Sequence, residues 1–238
     1  MTTATETATY ALTDSTQRIL KNFSNIATSM LLREGIEQKT MNTSKSVLAI
    51  TQFEKPWPQE TAVYQLPELL SNLSAYVDPV LEFDEKNFIV RGSQSPSHVI
   101  YPYSDPSVVV APPSKTFDME DPYAEFVLPA SAVAEIKKLS SINNLPTIAI
   151  EANATDGTIV VKPHDEKNPG SRVYSYPVHS NKDHITSLTN DVSFLFKREH
   201  FDLLMDGEYQ ILVGAWAYVC LKHKTEPVSY FIVQKASK

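Results

Sequence analysis

A chain of 238 residues, 42% hydrophobic and 21% charged, has the make-up of an ordered globular protein with room for two domains that each bury a core. Twenty-eight acidic against twenty-one basic residues leave a formal charge of −7, which argues against a protein that grips phosphates tightly over a broad surface. The single cysteine, Cys220, excludes an intrachain disulfide and suits a reducing compartment, and no apolar run approaches the ~18 residues of a membrane span.

Residues 1–9 are rich in Thr and Ala with no basic residue, and read neither as a signal peptide nor as an anchor. Residues 14–27 are the clearest amphipathic helix: Ile19, Leu20, Phe23, Ile26 and Ala27 recur at three and four, and Asp14 with Gln17 is spaced to cap its start. β-like runs follow at 30–32, 46–53 and 61–66, with a turn at Arg33-Glu34-Gly35. A shorter helix over 67–76 carries Pro67 in its first turn. Runs at 80–83, 88–91 and 98–103 complete this half, the first two parted by a polar turn at 84–87.

Residues 104–122 hold Pro106, Pro112, Pro113 and Pro122 around Val108, Val109 and Val110, and read as an extended connector between a domain 1–104 and a domain 123–238. Past it come a β-like run at 123–128, a helix over 130–143, and a hairpin at 147–161 that turns on Asp156-Gly157, a pair suited to positive φ. Runs at 172–179 and 192–196, a short helix over 198–205, and strands at 209–213, 216–223 and 228–234 finish the chain. The order of elements in the second half repeats the first, which predicts an α+β protein of two similar domains, each with antiparallel sheets and two helices. Any β-rich chain with four helices can be cut into look-alike halves; here order and spacing agree together.

Catalytic chemistry has no sequence support. The six histidines, His98, His164, His179, His184, His200 and His223, do not cluster as ligands, and Cys220 and His223 fall on opposite sides of one strand. Six glycines form no phosphate loop, no hydrolase or metalloprotease motif occurs, and Asp165 and Glu166 read as a solvated loop pair. No enzyme activity, metal or cofactor is expected.

Opposite the apolar face of the first helix, Arg18, Lys21, Asn22 and Asn25 make a polar and basic stripe. On the helix from Ala130, Val133, Ile136, Leu139 and Ser140 read as the inner face, with Lys138, Ser141 and Ser131 opposite and Lys137 at the border. The last helix begins with Lys197 and Arg198, and the helix over 67–76 has no basic residue. These cations can meet phosphates without reading sequence, or can simply be a solvated face shared with Glu135, Glu199 and Asp202.

Four stretches, in order, carry a resemblance. Leu20-Lys21-Asn22-Phe23-Ser24-Asn25-Ile26 with Met30-Leu31-Leu32-Arg33-Glu34-Gly35 is similar to the first helix and following strand of the sliding clamps of T-even-type bacteriophages. Asp105-Pro106-Ser107-Val108-Val109-Val110-Ala111-Pro112 resembles their interdomain connector. Thr147-Ile148-Ala149-Ile150 with Gly157-Thr158-Ile159-Val160-Val161, and Gly207-Glu208-Tyr209-Gln210-Ile211-Leu212, resemble the hairpin and late strands of their second domain. The Thr-rich start and the sequence between Pro163 and Asn190 depart from the family's pattern.

The resemblance implies the DNA clamp fold and a homotrimeric ring that encircles double-stranded DNA without sequence preference, with helices lining the hole. It also implies a ring that an ATP-driven clamp loader opens, that tethers the replicative DNA polymerase in the cytoplasm of an infected bacterium, and that meets transcription factors in late transcription. By the same resemblance Arg18, Lys21, Lys137, Lys138, Lys197 and Arg198 face DNA. Partner peptides are expected in a pocket of Val108, Val109, Val110 and Pro112 with Tyr230 and Ile232 of the last strand, although the valines can equally cover a domain junction. The tyrosine-rich strands 99–103 and 173–178 are candidates for pairing across subunits, or are ordinary internal strands. A different class of reading is a β-rich structural protein, such as a virion component.

Overall fold

Apolar spacing and turn chemistry build the same arrangement twice in the computed structural model, which describes residues 8–115, 117–168, 170, 172–178 and 184–235. Most of the Thr-rich start, and His179 at the end of the run expected over 172–179, lie outside the described residues. The chain divides into one unit of Met1–Thr43 and Ala49–Pro113 and another of Ser44–Leu48 and Ser114–Lys238.

The first unit runs β1 (Ala8–Ala11), α1 (Asp14–Ile26), β2 (Met30–Leu32), β3 (Gly35–Met41), β4 (Val47–Trp57), β5 (Thr61–Val63), α2 (Leu66–Leu73), β6 (Pro79–Phe83), β7 (Asn87–Gly92) and β8 (His98–Pro102). The first two residues of β4 belong to the other unit. β1, β6, β7 and β8 form an antiparallel sheet in that order, with Tyr10 opposite Leu81 and Ile89 opposite Ile100. β2 pairs with β5. An aromatic chain fills the core: Tyr10 to Trp57 at 4.7 Å, then Trp57 edge-on to Phe83 at 5.6 Å. The buried indole of Trp57 donates to the Thr61 hydroxyl at 3.1 Å, so its one polar atom is satisfied.

The second unit runs β9 (Ala124–Leu128), α3 (Ala130–Ile142), β10 (Thr147–Asn153), β11 (Thr158–His164), β12 (Tyr176–Val178), β13 (Ile185–Leu188), β14 (Val192–Lys197), α4 (Arg198–Asp202), β15 (Tyr209–Val213), β16 (Tyr218–His223) and β17 (Val228–Val233). One sheet orders β13-β9-β15-β16-β17 and another β12-β11-β10-β14. In both units the strand before the first helix pairs with the strand after the second helix, and a meander follows. The helices lie in pairs, α1 beside α2 and α3 beside α4. The repeat read from element order is therefore a repeat of topology.

α1 forms where expected, burying Ile19, Leu20, Phe23 and Ile26, each contributing about 1.5–3 kcal/mol of transfer free energy. Its cap differs: the Thr13 hydroxyl, not Asp14, accepts the Thr16 amide at 3.2 Å, and Asp14 is the first helical residue. α3 buries Ala132, Val133, Ile136 and Ser140, while Leu139 is half-buried at the border. The Asn143 amide donates to the Leu139 carbonyl at 2.8 Å and Asn144, at φ 51°, turns the chain out of the helix. The hairpin closes with Asn153 opposite Thr158 and Gly157 at φ 65°, as its Asp-Gly turn predicts.

Strands β1, β3 and β13 are additions to the sequence reading. β3 hides Gln38, Lys39 and Thr40, polar residues that read as surface. Gln38 accepts the Arg33 amide at 2.8 Å and donates to the carbonyls of Arg33 and Gly35, so its buried amide closes the turn before the strand. α2 and α4 end earlier than expected, at Leu73 and Asp202.

Candidate functional site

Helix periodicity decides which cations reach solvent. On α1, Arg18 and Lys21 are exposed one turn apart with Asn25, whereas Asn22 is 9% exposed and packs inward, correcting its place in the polar stripe. The Ser24 hydroxyl donates to the Lys21 carbonyl at 2.7 Å, and the Lys21 residue is exposed. On α3 the neighbours Lys137 and Lys138 differ. Lys138 is exposed; the Lys137 side chain is 19% exposed, its ammonium donating to the Leu204 carbonyl at 2.7 Å and reaching Asp206 at 3.4 Å. It satisfies a carbonyl just past α4, much as a C-terminal cation does.

α4 is electrostatically balanced. Lys197 pairs with Glu199 at 2.9 Å, holding that carboxyl below its usual range, and Arg198 pairs with Asp202 at 2.8 Å. Burial nevertheless keeps the Asp202 carboxyl above its usual range, against the pull of Arg198 and Lys137. The buried His200 lies within 3.1 Å of the Ser46 hydroxyl, and desolvation lowers its pKa. On these helices Arg18, Lys21, Lys138 and Lys197 are thus exposed, and Lys137 and Arg198 half-buried.

The connector valines take different environments. Val109 is buried against Leu31 and Ala62, Val108 is 55% exposed and Val110 is half-buried. Pro112 is buried, and its carbonyl accepts from Arg33 at 3.3 Å. Tyr230 and Ile232 correct the expected pocket wall, because both are fully buried in the second unit. The Tyr230 hydroxyl accepts the Met205 amide at 3.3 Å, and its ring centroid lies 6.1 Å from that of Tyr209. Side chains of a strand alternate faces, so the other face of β17 belongs to Phe231 and Val233. Phe231 meets Phe117 and Tyr218, each at 5.8 Å, and Trp216, 54% exposed, stacks on Tyr218. The Tyr218 hydroxyl donates to the Asp118 carbonyl at 3.2 Å, fixing this apolar surface. Its sequence signal was the alternation of Trp216 and Tyr218.

β8 and β12, from the two tyrosine-rich runs, each lie at the edge of their own sheet. Ile100 on β8 and Val173 just before β12 are 54% and 55% exposed. A cavity of about 690 Å³ between Pro146, Glu166, Lys167, Lys197, Arg198 and Lys235 was not foreseen. Glu166 there is held by Lys235 at 2.9 Å rather than merely solvated. Among the described residues no group of three or more His, Cys, Asp or Glu lies where it could hold a metal ion. Among them also, no helix is long and apolar enough to cross a membrane.

No family model matches the chain. It is 28% identical over 204 residues to a protein named sliding clamp of Vibrio phage KVP40, a match covering 85% of this chain and 89% of that one. It is 24% identical over 228 residues to the sliding clamp of Escherichia phage RB69, covering 94% and 96%. The proliferating cellular nuclear antigen of Entamoeba histolytica superimposes with a TM-score of 0.69 at 13% identity, covering 92% of this chain and 94% of that one. A PCNA2–PCNA3 complex chain of Sulfolobus tokodaii does so at 0.68 and 12%, covering 97% and 100%. By sequence the chain is related to the phage sliding clamps of the T-even type, and its fold is that of the DNA clamps.

Proposed function

We propose that this chain is a sliding clamp: a homotrimeric ring that encircles duplex DNA and tethers a replicative DNA polymerase for processive synthesis. The observation that carries the reading is the near full-length kinship to proteins named sliding clamp, on a chain whose two units repeat one topology. The exposed Arg18, Lys21 and Lys138 supply phosphate contacts, and Lys137, Lys197 and Arg198, which pair with Asp206, Glu199 and Asp202, add to them. Sparse contacts suit the task. A closed ring retains DNA by topology, and tight phosphate binding would stop it sliding, so a net charge of −7 is compatible with a DNA partner.

Ring closure, in this reading, comes from pairing of the edge strands β8 and β12 of neighbouring subunits, which would give both edges the ladder partners they lack. Partner peptides engage the exposed Val108 and the half-buried Val110 of the connector, and the aromatic surface of Trp216 and Tyr218, which the buried Phe231 supports. An ATP-driven loader opens the ring in the infected bacterial cell, and transcription factors use the same surfaces in late transcription. The benefit to the polymerase is effective concentration: a tethered enzyme rebinds the primer end intramolecularly, for a gain in avidity of ~10²–10⁴.

Retention on circular against linearised DNA tests the mechanism. Loaded protein should stay on the circle and be lost from the linear form; equal retention on both would show ordinary binding instead of encirclement.

A further inference from the structure

The 690 Å³ cavity of the second unit is lined by the four cations Lys167, Lys197, Arg198 and Lys235 and the three carboxylates Asp165, Glu166 and Glu199, an excess of one positive charge. Each carboxylate is already engaged. Asp165 accepts the Lys167 backbone amide at 3.0 Å, Glu166 the Lys235 ammonium at 2.9 Å, and Glu199 the Lys197 ammonium at 2.9 Å. Lys167 and Arg198 keep donors to spare. Lys167 is exposed, and among the described residues its ammonium has no partner. Arg198 commits Nη1 to Asp202 at 2.8 Å, and its Nη2 has no partner among the described residues. The cavity therefore holds one positive charge in excess and, at Lys167 and Arg198, donors that an acceptor oxygen carrying negative charge would satisfy.

We propose that this cavity is a docking site for an acidic peptide segment of a partner protein, whose carboxylate is received by Lys167 and Arg198. Charge and shape select a peptide. One excess positive charge matches an isolated carboxylate, whereas a nucleic-acid strand gains affinity in proportion to the phosphates it neutralises and would meet three carboxylates here. The volume falls in the range of sites for small ligands and short segments. Pro146 and the methylene stems of the lining lysines can give a peptide apolar walls. Lys235 is fixed by both Thr147, at 3.2 Å, and Glu166, so part of the wall is set before any ligand arrives.

The test is a titration of the isotope-labelled full-length protein, followed by amide chemical shifts, with a short synthetic peptide of alternating Glu and Leu. The amides of Thr147, Lys167 and Arg198 should shift together and saturate. Lys167→Glu, in an exposed loop, should weaken binding about tenfold, the scale of a lost charge-assisted contact, while the control Lys86→Glu, outside the cavity lining, should bind as the wild type does. Shifts scattered over surface lysines, or unchanged affinity in Lys167→Glu, would overturn the proposal. So would inorganic phosphate or a short DNA duplex moving those amides where the peptide does not, since the site would then be a phosphate site.

Discussion

The imidazole of His223 lies directly against the backbone of Gly207, so close that a Cβ on residue 207 would overlap the ring. Its Nδ1 accepts the amides of Thr225 and Glu226 at 3.2 and 3.1 Å, which leaves the proton on Nε2 to donate to the Asp206 carbonyl at 3.1 Å. The ring thus joins the turn after β16 to the one before β15, edge-on to Tyr209 at 4.9 Å. Gly207→Ala should destabilise the protein by about 2–3 kcal/mol, combining overpacking with an unfavourable φ of 153°. Gly157→Ala, at φ 65° with open space around it, should cost only about 1 kcal/mol. Urea unfolding of the two variants measures the difference, and equal costs would mean that the His223 contact yields without strain.

Two adjacent lysines should behave oppositely. Lys137→Ala removes the donor to the Leu204 carbonyl and should cost about 1 kcal/mol in stability while changing DNA retention little. Lys138→Ala combined with Lys21→Ala should leave stability within about 0.5 kcal/mol and flatten the salt dependence of DNA association by roughly one unit of slope per lost phosphate contact. Thermal melts and association across a salt series separate the two effects. A salt response unchanged in the double variant would place these lysines away from phosphate.

The parity of β17 gives a third prediction. Tyr230 faces the core and Phe231 the aromatic surface, so Tyr230→Ala should cost about 3–5 kcal/mol. Trp216→Ala, at an exposed position, should leave stability nearly unchanged yet weaken capture of the polymerase. Co-sedimentation of clamp and polymerase, with a melt as control, checks both. Polymerase capture that survives Trp216→Ala at full strength would remove this surface from partner binding.

The same strand marks how far the sequence could be read. In Val228-Ser229-Tyr230-Phe231-Ile232-Val233 nearly every residue is apolar, so composition finds the strand but not which alternate set faces inward, and one step of register exchanges the faces. α1 and α3 were legible because their apolar residues recur at helical spacing beside polar ones. β3 was hidden by Gln38, Lys39 and Thr40, whose burial depends on a turn-closing amide and on an ion pair of Lys39 with Glu37 at 2.9 Å. The short β1 gains its ladder from β6, some seventy residues away, a pairing that local pattern does not encode. On α1 the exposure of Arg18 and Lys21 followed from helical spacing, whereas Asn22 turned inward. What separates Lys137 from Lys138, namely a carbonyl of another element within reach, required coordinates.

Cys220 offers a last prediction, about alkaline pH. Complete burial in β16 pushes its thiol from an ordinary 9.0 up to about 12, because a thiolate there would lose its hydration. Nucleophilic attack needs the thiolate, so iodoacetamide should leave the folded protein unmodified at neutral pH and label it stoichiometrically once denatured. The linked stability follows from the direction of the shift. Below about pH 9 the thiol is protonated in both states; above it the unfolded chain ionises first, and stability falls up to tenfold per pH unit until about pH 12. Tyr209 and Tyr230, whose pKa values burial also raises, add to the loss above their ordinary 10.0. Cys220→Ala should therefore remove the onset near pH 9 and keep the tyrosine phase. Urea midpoints measured across that range decide it, since an unchanged onset in Cys220→Ala would assign the alkaline limb to the tyrosines alone.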